Sequence, residues 1–474
     1  MALTEQAKAR LSALRTQRVG IVGLGREGLD LVRFLAPWAG ELVVSDRSPA
    51  DRLAPVLASL EGVTARYLLG GQAGTDLVDC DTLFVSPGVA QEEPVVAEAR
   101  AAGAHISSAT RLFFELCPGP IIGITGSSGK TTTTSMVATI LAEAGIPSAV
   151  GGNIGVPMLG RLNDFGPETW SVLELSSFQL SDMTQSPQIA AILNITPNHL
   201  DRHPDMADYA RAKANIIRHQ SESDVAVLNA DDPVVSDLPH RSRTLHFSLK
   251  KATHGGWFDK DTLWISQNGG DDGTIALLPR SDLSLMGEHN VANALAAALV
   301  SHAAGCDMES IGRALRAFRP VPHRLEIVET VCDVIYMNDS IATSPERSIA
   351  ALRSIDTPIV LIAGGRDKHV PMEDWARLID ASVRAVVLVG EAAPLIRSAL
   401  EGVGANVPIL AANRFAETVS LAARAAQPGD TVLLSPGCTS FDEFRDYEER
   451  GQAFRAAVMA LREASASADS ERHR

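Results

Sequence analysis

The 474-residue sequence is poor in cysteine and in aromatic residues, and it lacks long apolar runs and any excess of basic charge. Its five cysteines are odd in number, scattered and never spaced as C-x-x-C, which argues against a disulfide framework or a zinc knuckle and fits a reducing compartment. No stretch approaches the ~18 apolar residues that a membrane-spanning helix needs. The opening segment MALTEQAKARLSALR predicts an amphipathic helix and has no apolar core of a signal peptide. We therefore expect a soluble, cytoplasmic protein with no membrane partner.

The charge balance is acidic, with a formal net charge of -15 at pH 7. Proteins that bind nucleic acids usually carry a basic footprint, so this balance argues against a nucleic-acid partner. It does not exclude an anionic small ligand, because one local loop can hold a phosphate against the global charge. Hydrophobic residues make up 45% of the sequence, which is enough for packed cores.

The order of apolar and helical segments predicts three α/β blocks. At ~100–200 residues per domain, the chain length also suggests about three domains. Short apolar runs alternate with helical patterns, which is typical of βαβ units and parallel sheets. We place the domains at residues 1–110, 111–320 and 321–474. A polar, glycine-rich stretch at 254–273 predicts a hairpin with a surface turn at 269–273.

The segment TGSSGKT, residues 125–131, follows a predicted buried strand and opens a predicted helix. Glycines let backbone N–H groups approach phosphates, and a helix N-terminus favours anions. Here Lys130 would reach the β- and γ-phosphates of ATP, and Thr131 would offer its hydroxyl to magnesium. Ile124 stands where the strict motif has its first glycine, and the alternative is an ordinary glycine-rich turn. The predicted ATP-binding residues of this loop are Gly126, Ser127, Ser128, Gly129, Lys130, Thr131 and Thr132.

A second glycine-rich turn, GLGREG at residues 23–28, also follows a predicted strand, and Asp46 ends the next one. This matches the dinucleotide fingerprint, in which glycines form the tight turn and an acid about 20 residues on binds ribose hydroxyls. The turn therefore predicts a ligand that contains a nucleotide diphosphate. A nicotinamide dehydrogenase is the alternative, but it leaves TGSSGKT unexplained.

Two polar clusters follow predicted strands of the central block. Glu174, in LELSSFQL, stands near a strand end, where a carboxylate can hold magnesium beside Thr131. His199 and Asp201, in NITPNHLDRH, lie just past another strand, at the edge where α/β sheets bind ligands. The alternatives are a half-buried polar strand residue and a structural histidine, and the clustering favours function.

In the third block, Asp339, Lys368 and Ser440 each follow a predicted strand. Three such clusters suggest one binding edge, although each alone could be a turn. Lys213, in the helical stretch YARAKANII, would by default be a surface lysine. The polar residues of GEHNVANA could simply cap a helix.

Together these motifs resemble those of the Mur ligases of peptidoglycan synthesis, over about Val19 to Phe454. LELSSFQL and NHLDRH point to the glutamate-adding branch rather than to the alanine-adding or diaminopimelate-adding ligases. The segments that carry the resemblance are GLGREG, SPG, TGSSGKT, GGNIG, LELSSFQL, NITPNHLDRH, YARAKANI, LNADDP, GEHNVANA, PHRLE, NDSIAT and LLSPGCTSFDEF.

The resemblance implies an α/β fold of three domains: an N-terminal Rossmann-like parallel sheet, a central P-loop ATPase-type sheet and a C-terminal Rossmann-like domain. It also implies a reaction in which ATP phosphorylates the carboxylate of UDP-N-acetylmuramoyl-L-alanine and the amine of glutamate attacks the resulting acyl phosphate. A phosphate loop, magnesium and cations at one point would let these anions meet. ATP and Mg²⁺ would be the cofactors, the partners would be the two small-molecule substrates, and the protein would be a monomer.

By the same resemblance, Glu174 holds a first magnesium and His199 serves a second. Lys213 matches the family lysine that carbon dioxide carbamylates, which would let it bind that second metal as an anion. The implied catalytic residues are Lys130, Glu174, His199 and Lys213, and the last three join Thr131 as metal ligands. Nucleotide positions outside the loop are Asn290, Asn293, Arg324 and Asp339. UDP-sugar positions are Gly25, Arg26, Asp46, Arg47, Ser86, Asn153 and Ser176, and glutamate positions are Thr343, Lys368, Ser440 and Tyr447.

The sequence departs from the family pattern at four places. Ile341 stands where NDS-x-AT usually carries a lysine, which leaves open whether D- or L-glutamate is added. Ser128 replaces an asparagine, Tyr447 a phenylalanine and Gly437 an alanine. Two further hypotheses for the function are an amide ligase with a different acceptor, such as a folylpolyglutamate-type enzyme, and a catalytically silent nucleotide-binding regulator.

Overall fold

The computed structural model describes residues 4–71, 75–89, 93–197, 202–266, 273–285, 287–319, 323–353, 355, 357–368 and 370–472. Within these ranges the backbone forms three β-sheets of five, nine and six strands, with helices between the strands. The predicted α/β fold built on three successive sheets is confirmed. The domain boundaries at 110 and 320 stay predictions.

The first sheet is wholly parallel and has the strand order β3-β2-β1-β4-β5. Its central strand β1 carries RVGIV and buries all but its first residue, as a parallel strand covered on both faces must. After β1 the chain adds β2 and β3 on one side of β1, and it then crosses over to add β4 and β5 on the other side. This reversal of direction creates a crevice between β1 and β4, of the kind in which such sheets bind ligands. The strands are β1 Arg18–Val22, β2 Glu41–Asp46, β3 Arg66–Leu69, β4 Thr82–Val85 and β5 His105–Ser107, and the helices are α1 Glu5–Ala13, α2 Arg26–Leu35, α3 Ala54–Ala58, α4 Thr75–Val78, α5 Pro94–Ala101 and α6 Ala109–Leu116.

The second sheet has the order β14-β13-β12-β11-β10-β9-β6-β8-β7 and is parallel from β7 to β12. The predicted hairpin is confirmed, because β12, β13 and β14 form an antiparallel extension. Its predicted turn lies mostly outside the described residues. The strands are β6 Ile121–Thr125, β7 Ser148–Gly152, β8 Trp170–Glu174, β9 Ile189–Ile192, β10 Val225–Asn229, β11 Arg243–Ser248, β12 Gly255–Asp259, β13 Thr262–Ser266 and β14 Thr274–Pro279, and the helices are α7 Lys130–Glu143, α8 Ser177–Leu180, α9 Met206–Arg218, α10 Pro233–Ser236, α11 Glu288–Ala303 and α12 Met308–Ala317.

The third sheet has the order β15-β16-β20-β17-β18-β19, with only the β15–β16 pair antiparallel. The three predicted polar clusters follow β16, β17 and β20, which are neighbours, so their carboxyl ends share one edge. The strands are β15 Glu326–Val331, β16 Val334–Asn338, β17 Ile359–Gly364, β18 Val383–Val389, β19 Ile409–Ala411 and β20 Thr431–Gly437, and the helices are α13 Pro345–Leu352, α14 Glu373–Ser382, α15 Ala393–Gly402, α16 Thr418–Ala425 and α17 Tyr447–Arg472.

One hydrophobic core joins the first sheet to the second. Leu112 and Phe113 of α6 belong to the same buried cluster as Leu173 of β8 and Ile192 of β9. Phe113 also packs edge-to-face on Phe165, with ring centroids 5.9 Å apart. Because apolar burial is the dominant stabilising term in such contacts, this shared core fixes the first crevice relative to the phosphate loop.

Among the described residues, no helix combines the length and the apolar character that crossing a membrane would need.

Gly437, one of the departures from the family pattern, ends β20 in a conformation that is unfavourable for an alanine. Its φ is 67°, and a Cβ would lie 2.7 Å from Cζ2 of the buried Trp375. We expect Gly437→Ala to destabilise the protein by ~1–3 kcal/mol, since it combines overpacking with a left-handed backbone. Chemical denaturation followed by tryptophan fluorescence measures this.

The matched control is Gly402→Ala at the end of α15, where a Cβ would meet nothing within 4 Å. That variant should be neutral or slightly stabilising. If Gly437→Ala were as stable as Gly402→Ala, the close packing of Trp375 on β20 would be wrong.

Candidate active site

The first cavity lies at the crevice between β1 and β4 and has a volume of about 860 Å³. Its floor is the glycine turn, where a Cβ on Gly28 would overlap the carbonyl oxygen of Gly23. The carboxylate of Asp46 accepts hydrogen bonds from the backbone N–H groups of Leu24 and Ser48, both at 2.7 Å. Five of the predicted UDP-sugar residues line this one cavity: Gly25, Arg26, Asp46, Arg47 and Ser86.

The other two predicted UDP-sugar residues lie apart from those five. Asn153 lines a second cavity of about 180 Å³, which shares Arg26 and Glu27 with the first. Ser176 caps α8, and its hydroxyl is engaged in a capping box with Gln179. Arg202, which the sequence did not single out, also lines the first cavity and stacks over the ring of Phe178.

The phosphate loop leads from β6 into α7, as predicted. Gly129 has a φ of 81°, and a Cβ there would overlap the side-chain oxygen of Asn293. The backbone N–H of Ser127 donates to the carbonyl of Asn194, and that of Ser128 donates to its side-chain oxygen at 2.8 Å. The segment just after β9 thus fixes the conformation of the loop through these hydrogen bonds. The hydroxyl of Thr132 is buried and has no partner among the described residues.

A cavity of about 480 Å³ opens over this loop, between the second sheet and the third. Predicted nucleotide residues from four segments line it together: Ser128, Gly129, Asn293, Arg324 and Asp339. Asn290 lies behind them and accepts a hydrogen bond from Asn293 at 3.1 Å. Burial raises the pKa of Asp339 to about 7, and burial with the neighbouring charge of Arg347 lowers the pKa of Arg324 to about 10.

Lys130 and Lys213 meet at one backbone oxygen. Each ammonium nitrogen donates to the carbonyl of Gly126 at 2.9 Å, and both side chains are buried. Burial, with the charge of Arg347, lowers the pKa of Lys130 to about 7. Burial and the charge of Lys130 hold the pKa of Lys213 well below its usual range. The default expectation of a surface lysine is therefore wrong for Lys213, because it lies on the core-facing side of α9.

A chain of hydrogen bonds connects the phosphate loop to the second cavity. Thr131 donates through its hydroxyl to one carboxylate oxygen of Glu174 at 2.8 Å, and Asn153 donates through its amide to the other oxygen at 2.8 Å. Hydroxyl and carboxylate oxygens are the ligands that Mg²⁺ prefers, so Thr131 and Glu174 fit a magnesium site.

The second predicted metal site is only partly described. His199 and Asp201 lie outside the described residues. In the part of the chain that the structure describes, no three His, Cys, Asp or Glu side chains are grouped closely enough to hold a metal.

The predicted glutamate residues lie around the edge formed by β16, β20 and β17. Lys368 donates to the hydroxyl of Thr343 at 3.2 Å. Ser440 is buried just after β20. Tyr447 begins α17 with its ring edge-on to His323, at 6.4 Å between centroids. Burial raises the pKa of Tyr447 to about 12.

Besides Arg202, the charged residues Glu346, Arg347 and Glu27 lie near these cavities and were not singled out from the sequence. Glu346 and Arg347 open α13, and Arg347 donates to the carbonyl of Ile341 at 3.0 Å while lining the cavity over the phosphate loop. In sequence they follow Pro345, so they are typical of an ordinary helix start. Glu27 lies inside GLGREG, where the glycines are the stronger signal. One carboxylate oxygen of Glu27 accepts from Gln179 at 2.7 Å, and the other is buried without a partner among the described residues.

The three sheets, the phosphate loop and the cavities beside it define a nucleotide-binding enzyme of three α/β units. The chain belongs to the Mur ligase family. Residues 17–108 match the model of the Mur ligase MurD-like N-terminal domain, residues 124–301 that of the Mur ligase middle domain and residues 323–438 that of the Mur ligase glutamate ligase domain. These matches cover all three sheets.

Curated relatives match over nearly the whole chain. A UDP-N-acetylmuramoylalanine–D-glutamate ligase of Symbiobacterium thermophilum is 41% identical over 94% of this chain and 98% of its own length. The enzyme of the same name from Pelotomaculum thermopropionicum is 40% identical over the same shares of the two chains.

Solved structures share the fold at lower identity. The UDP-N-acetylmuramate–alanine ligase of Thermotoga maritima superposes with a TM-score of 0.59 at 20% identity, covering 94% of this chain and 100% of that one. The MurF ligase of the same organism, solved in complex with ADP, gives a TM-score of 0.57 at 17% identity, covering 94% and 99%.

Burial of Glu27 predicts a pH-dependent stability. Burial raises its pKa from 4.5 to about 7, so the folded state keeps a proton that the unfolded state has lost. The contribution of Glu27 to the free energy of unfolding is therefore greatest below about pH 4.5. It falls as the pH rises to about 7, by at most ~1.4 kcal/mol per pH unit. Glu27→Gln removes the titration and keeps an acceptor for Gln179.

We expect Glu27→Gln to gain stability relative to the wild type as pH rises through that window. Thermal unfolding of both proteins between about pH 4.5 and about pH 8 measures the difference. Glu98→Gln, at an exposed position of α5, controls for the loss of a surface charge. A pH-independent difference for Glu27→Gln would contradict the buried carboxyl.

Proposed function

We propose that the protein joins glutamate, with D-glutamate favoured, to the carboxylate of UDP-N-acetylmuramoyl-L-alanine in a reaction that converts ATP to ADP and phosphate. The curated relatives named above carry this activity in their names. The reaction would proceed through an acyl phosphate, which converts an unreactive carboxylate into an electrophile.

The hydrogen-bond chain from Thr131 through Glu174 to Asn153 carries the proposal. It runs from the phosphate loop to the cavity that adjoins the UDP-sugar crevice. A γ-phosphate on the loop and a carboxylate at the inner end of that crevice would therefore meet at Glu174. No such junction is needed by a dehydrogenase, which would use the first crevice alone.

The side chains around this junction suit the meeting of two anions. Lys130, Arg324 and Arg347 would offset the charge of the phosphates and of the incoming carboxylate, and they act strongly because the site is buried. The backbone of the phosphate loop would orient the γ-phosphate, and Asn153 would orient the sugar substrate. Lys368 and Thr343, from the third sheet, would hold a carboxylate of glutamate, with Ser440 and Tyr447 beside them.

Thr131 and Glu174 would hold one Mg²⁺, and its Lewis acidity would further weaken the repulsion between phosphate and carboxylate. Lys213 would react as the neutral amine with carbon dioxide to give a carbamate and a proton. Its depressed pKa favours the neutral form. The carbamate and His199 would serve a second metal.

L-glutamate is the alternative substrate, because Ile341 lines the nucleotide cavity at a position where the family pattern has a lysine. We also keep a monomeric state, a cytoplasmic location and the absence of nucleic-acid and membrane partners as predictions. A folylpolyglutamate-type activity is the less favoured interpretation, because the crevice between β1 and β4 suits a UDP-sugar.

The test of function is phosphate release from ATP with UDP-N-acetylmuramoyl-L-alanine and each glutamate enantiomer in turn. We expect release that requires both substrates and is faster with D-glutamate. Lys130→Ala is the control, since it should abolish ATP turnover and leave UDP-sugar binding nearly intact. Faster release with L-glutamate would reverse the stereochemical assignment, and release without the UDP-sugar would refute the proposed reaction.

Replacing Lys213 tests the carbamate. Lys213→Ala should lower activity by ~100-fold or more, because an anion that serves the metal is lost. Short carboxylic acids such as acetate should restore part of it by entering the vacated space. Full activity of the variant without added acid would sink the carbamate assignment.

A further inference from the structure

An amino acid that enters the third unit brings a positive ammonium group as well as carboxylates. The residues predicted to hold glutamate offer one cation and three hydroxyl groups, which suit the carboxylates. They offer no anion to the ammonium group. These residues are Thr343, Lys368, Ser440 and Tyr447. Assigning the anion that would bind the ammonium group rests on the proposed function and adds to its description of the glutamate site.

Glu346 is the candidate for that anion. It stands three positions after Thr343, in the first turn of α13, and one of its carboxylate oxygens accepts a hydrogen bond from the hydroxyl of Thr196. The backbone N–H and carbonyl of Thr196 in turn bond to the hydroxyl of Ser127, both at 2.9 Å. The carboxylate of Glu346 is therefore one residue away from the phosphate loop.

The second oxygen of Glu346 is buried and has no hydrogen-bond partner among the described residues. The other buried acids of this region have both oxygens engaged. Glu174 accepts from Thr131 and Asn153, and Asp339 accepts from the hydroxyl of Ser435 and the backbone N–H of Leu325. A buried carboxylate oxygen without a donor is costly, so a donor from a ligand would stabilise it.

Burial raises the pKa of Glu346, and the hydrogen bond from Thr196 lowers it, as do the charges of Arg347, Lys130 and Lys213. Each of these is turned toward another acceptor, Arg347 to the carbonyl of Ile341 and both lysines to that of Gly126. Accordingly, none of the three donates to the second oxygen of Glu346.

We propose that Glu346 binds the α-ammonium group of the incoming glutamate through this second oxygen and so directs the amine toward the acyl phosphate. Thr343, in contact with Lys368, lies on the same short segment. The anion of Glu346 and the cation of Lys368 are thus connected through Thr343 and would meet the opposite charges of an amino acid. Charge-assisted hydrogen bonds of this kind are strong when buried.

The test compares wild-type full-length protein with Glu346→Gln, using ATP and UDP-N-acetylmuramoyl-L-alanine with two nucleophiles. With glutamate, the variant should show a KM raised by ~10-fold or more, since a buried charge-assisted bond is lost. With hydroxylamine, a small neutral amine that traps acyl phosphates as hydroxamates, its rate should stay near that of the wild type. An equal loss with both nucleophiles would instead place Glu346 in phosphoryl transfer or metal binding and overturn the proposal.

Two further measurements separate ammonium binding from a structural role. Glutarate, which is glutamate without its amine, should inhibit wild type and Glu346→Gln equally. Thr196→Val removes the hydrogen bond from Thr196 to Glu346 but keeps the carboxylate of Glu346. Its KM for glutamate should therefore rise less than that of Glu346→Gln. Weaker glutarate inhibition of Glu346→Gln, or equal KM values in the two variants, would overturn the proposal.

The outcomes also distinguish this inference from the proposed function. If the wild type formed no hydroxamate, acyl phosphate formation itself would be refuted, and the ammonium site with it. If the wild type formed hydroxamate and Glu346→Gln kept the wild-type KM for glutamate, only the assignment of Glu346 would fall.

Discussion

Two buried lysine side chains, Lys130 and Lys213, donate to a single backbone carbonyl, that of Gly126. Burial lowers the pKa of both, with the charge of Arg347 adding to the effect on Lys130 and the charge of Lys130 to that on Lys213, because like charges repel strongly away from water. Such an arrangement is stabilised when anions arrive, because each phosphate or carboxylate offsets part of that repulsion. The free protein therefore holds an unfavourable charge distribution that anionic ligands would relieve, and the neighbouring Arg324 and Arg347 extend it across the cavity.

The sheets determine where those charges can meet. Parallel strands bring their carboxyl ends to one edge, and each of the three sheets presents such an edge with its polar residues. The core shared by α6, β8 and β9 fixes the first edge beside the second. The third unit contributes Glu346, in the first turn of α13, which accepts a hydrogen bond from Thr196. Thr196 in turn is hydrogen-bonded to Ser127 of the phosphate loop. This contact gives the proposed amino-acid side of the site a direct connection to the phosphate loop.

The sequence allowed the fold class and most central strands to be predicted, because long apolar runs bounded by glycine turns have few alternatives. Short edge strands such as β3, β5 and β19 are hard to predict, since three or four half-buried residues leave little pattern. The phosphate loop was equally predictable, because its function requires glycines and a lysine at fixed spacing. The burial of Lys213 was not, since helix periodicity alone does not reveal that a charged residue faces the core. Glu346 and Arg347 were missed for a different reason: the start of a helix favours proline and acids whatever the site does.

Ile341 illustrates how such unrecognised residues alter an argument made from motifs. A missing lysine in NDS-x-AT suggested that the site had lost a cation. The guanidinium of Arg347 bonds to the backbone carbonyl of that same Ile341 and lines the same cavity. A cation is therefore present, delivered from the first turn of α13 instead of from the loop after β16. The two arrangements differ in geometry, because a planar guanidinium held at its carbonyl anchor has less freedom than a lysine ammonium. Any effect on which glutamate enantiomer is accepted would thus come from the position of the charge and not from its loss.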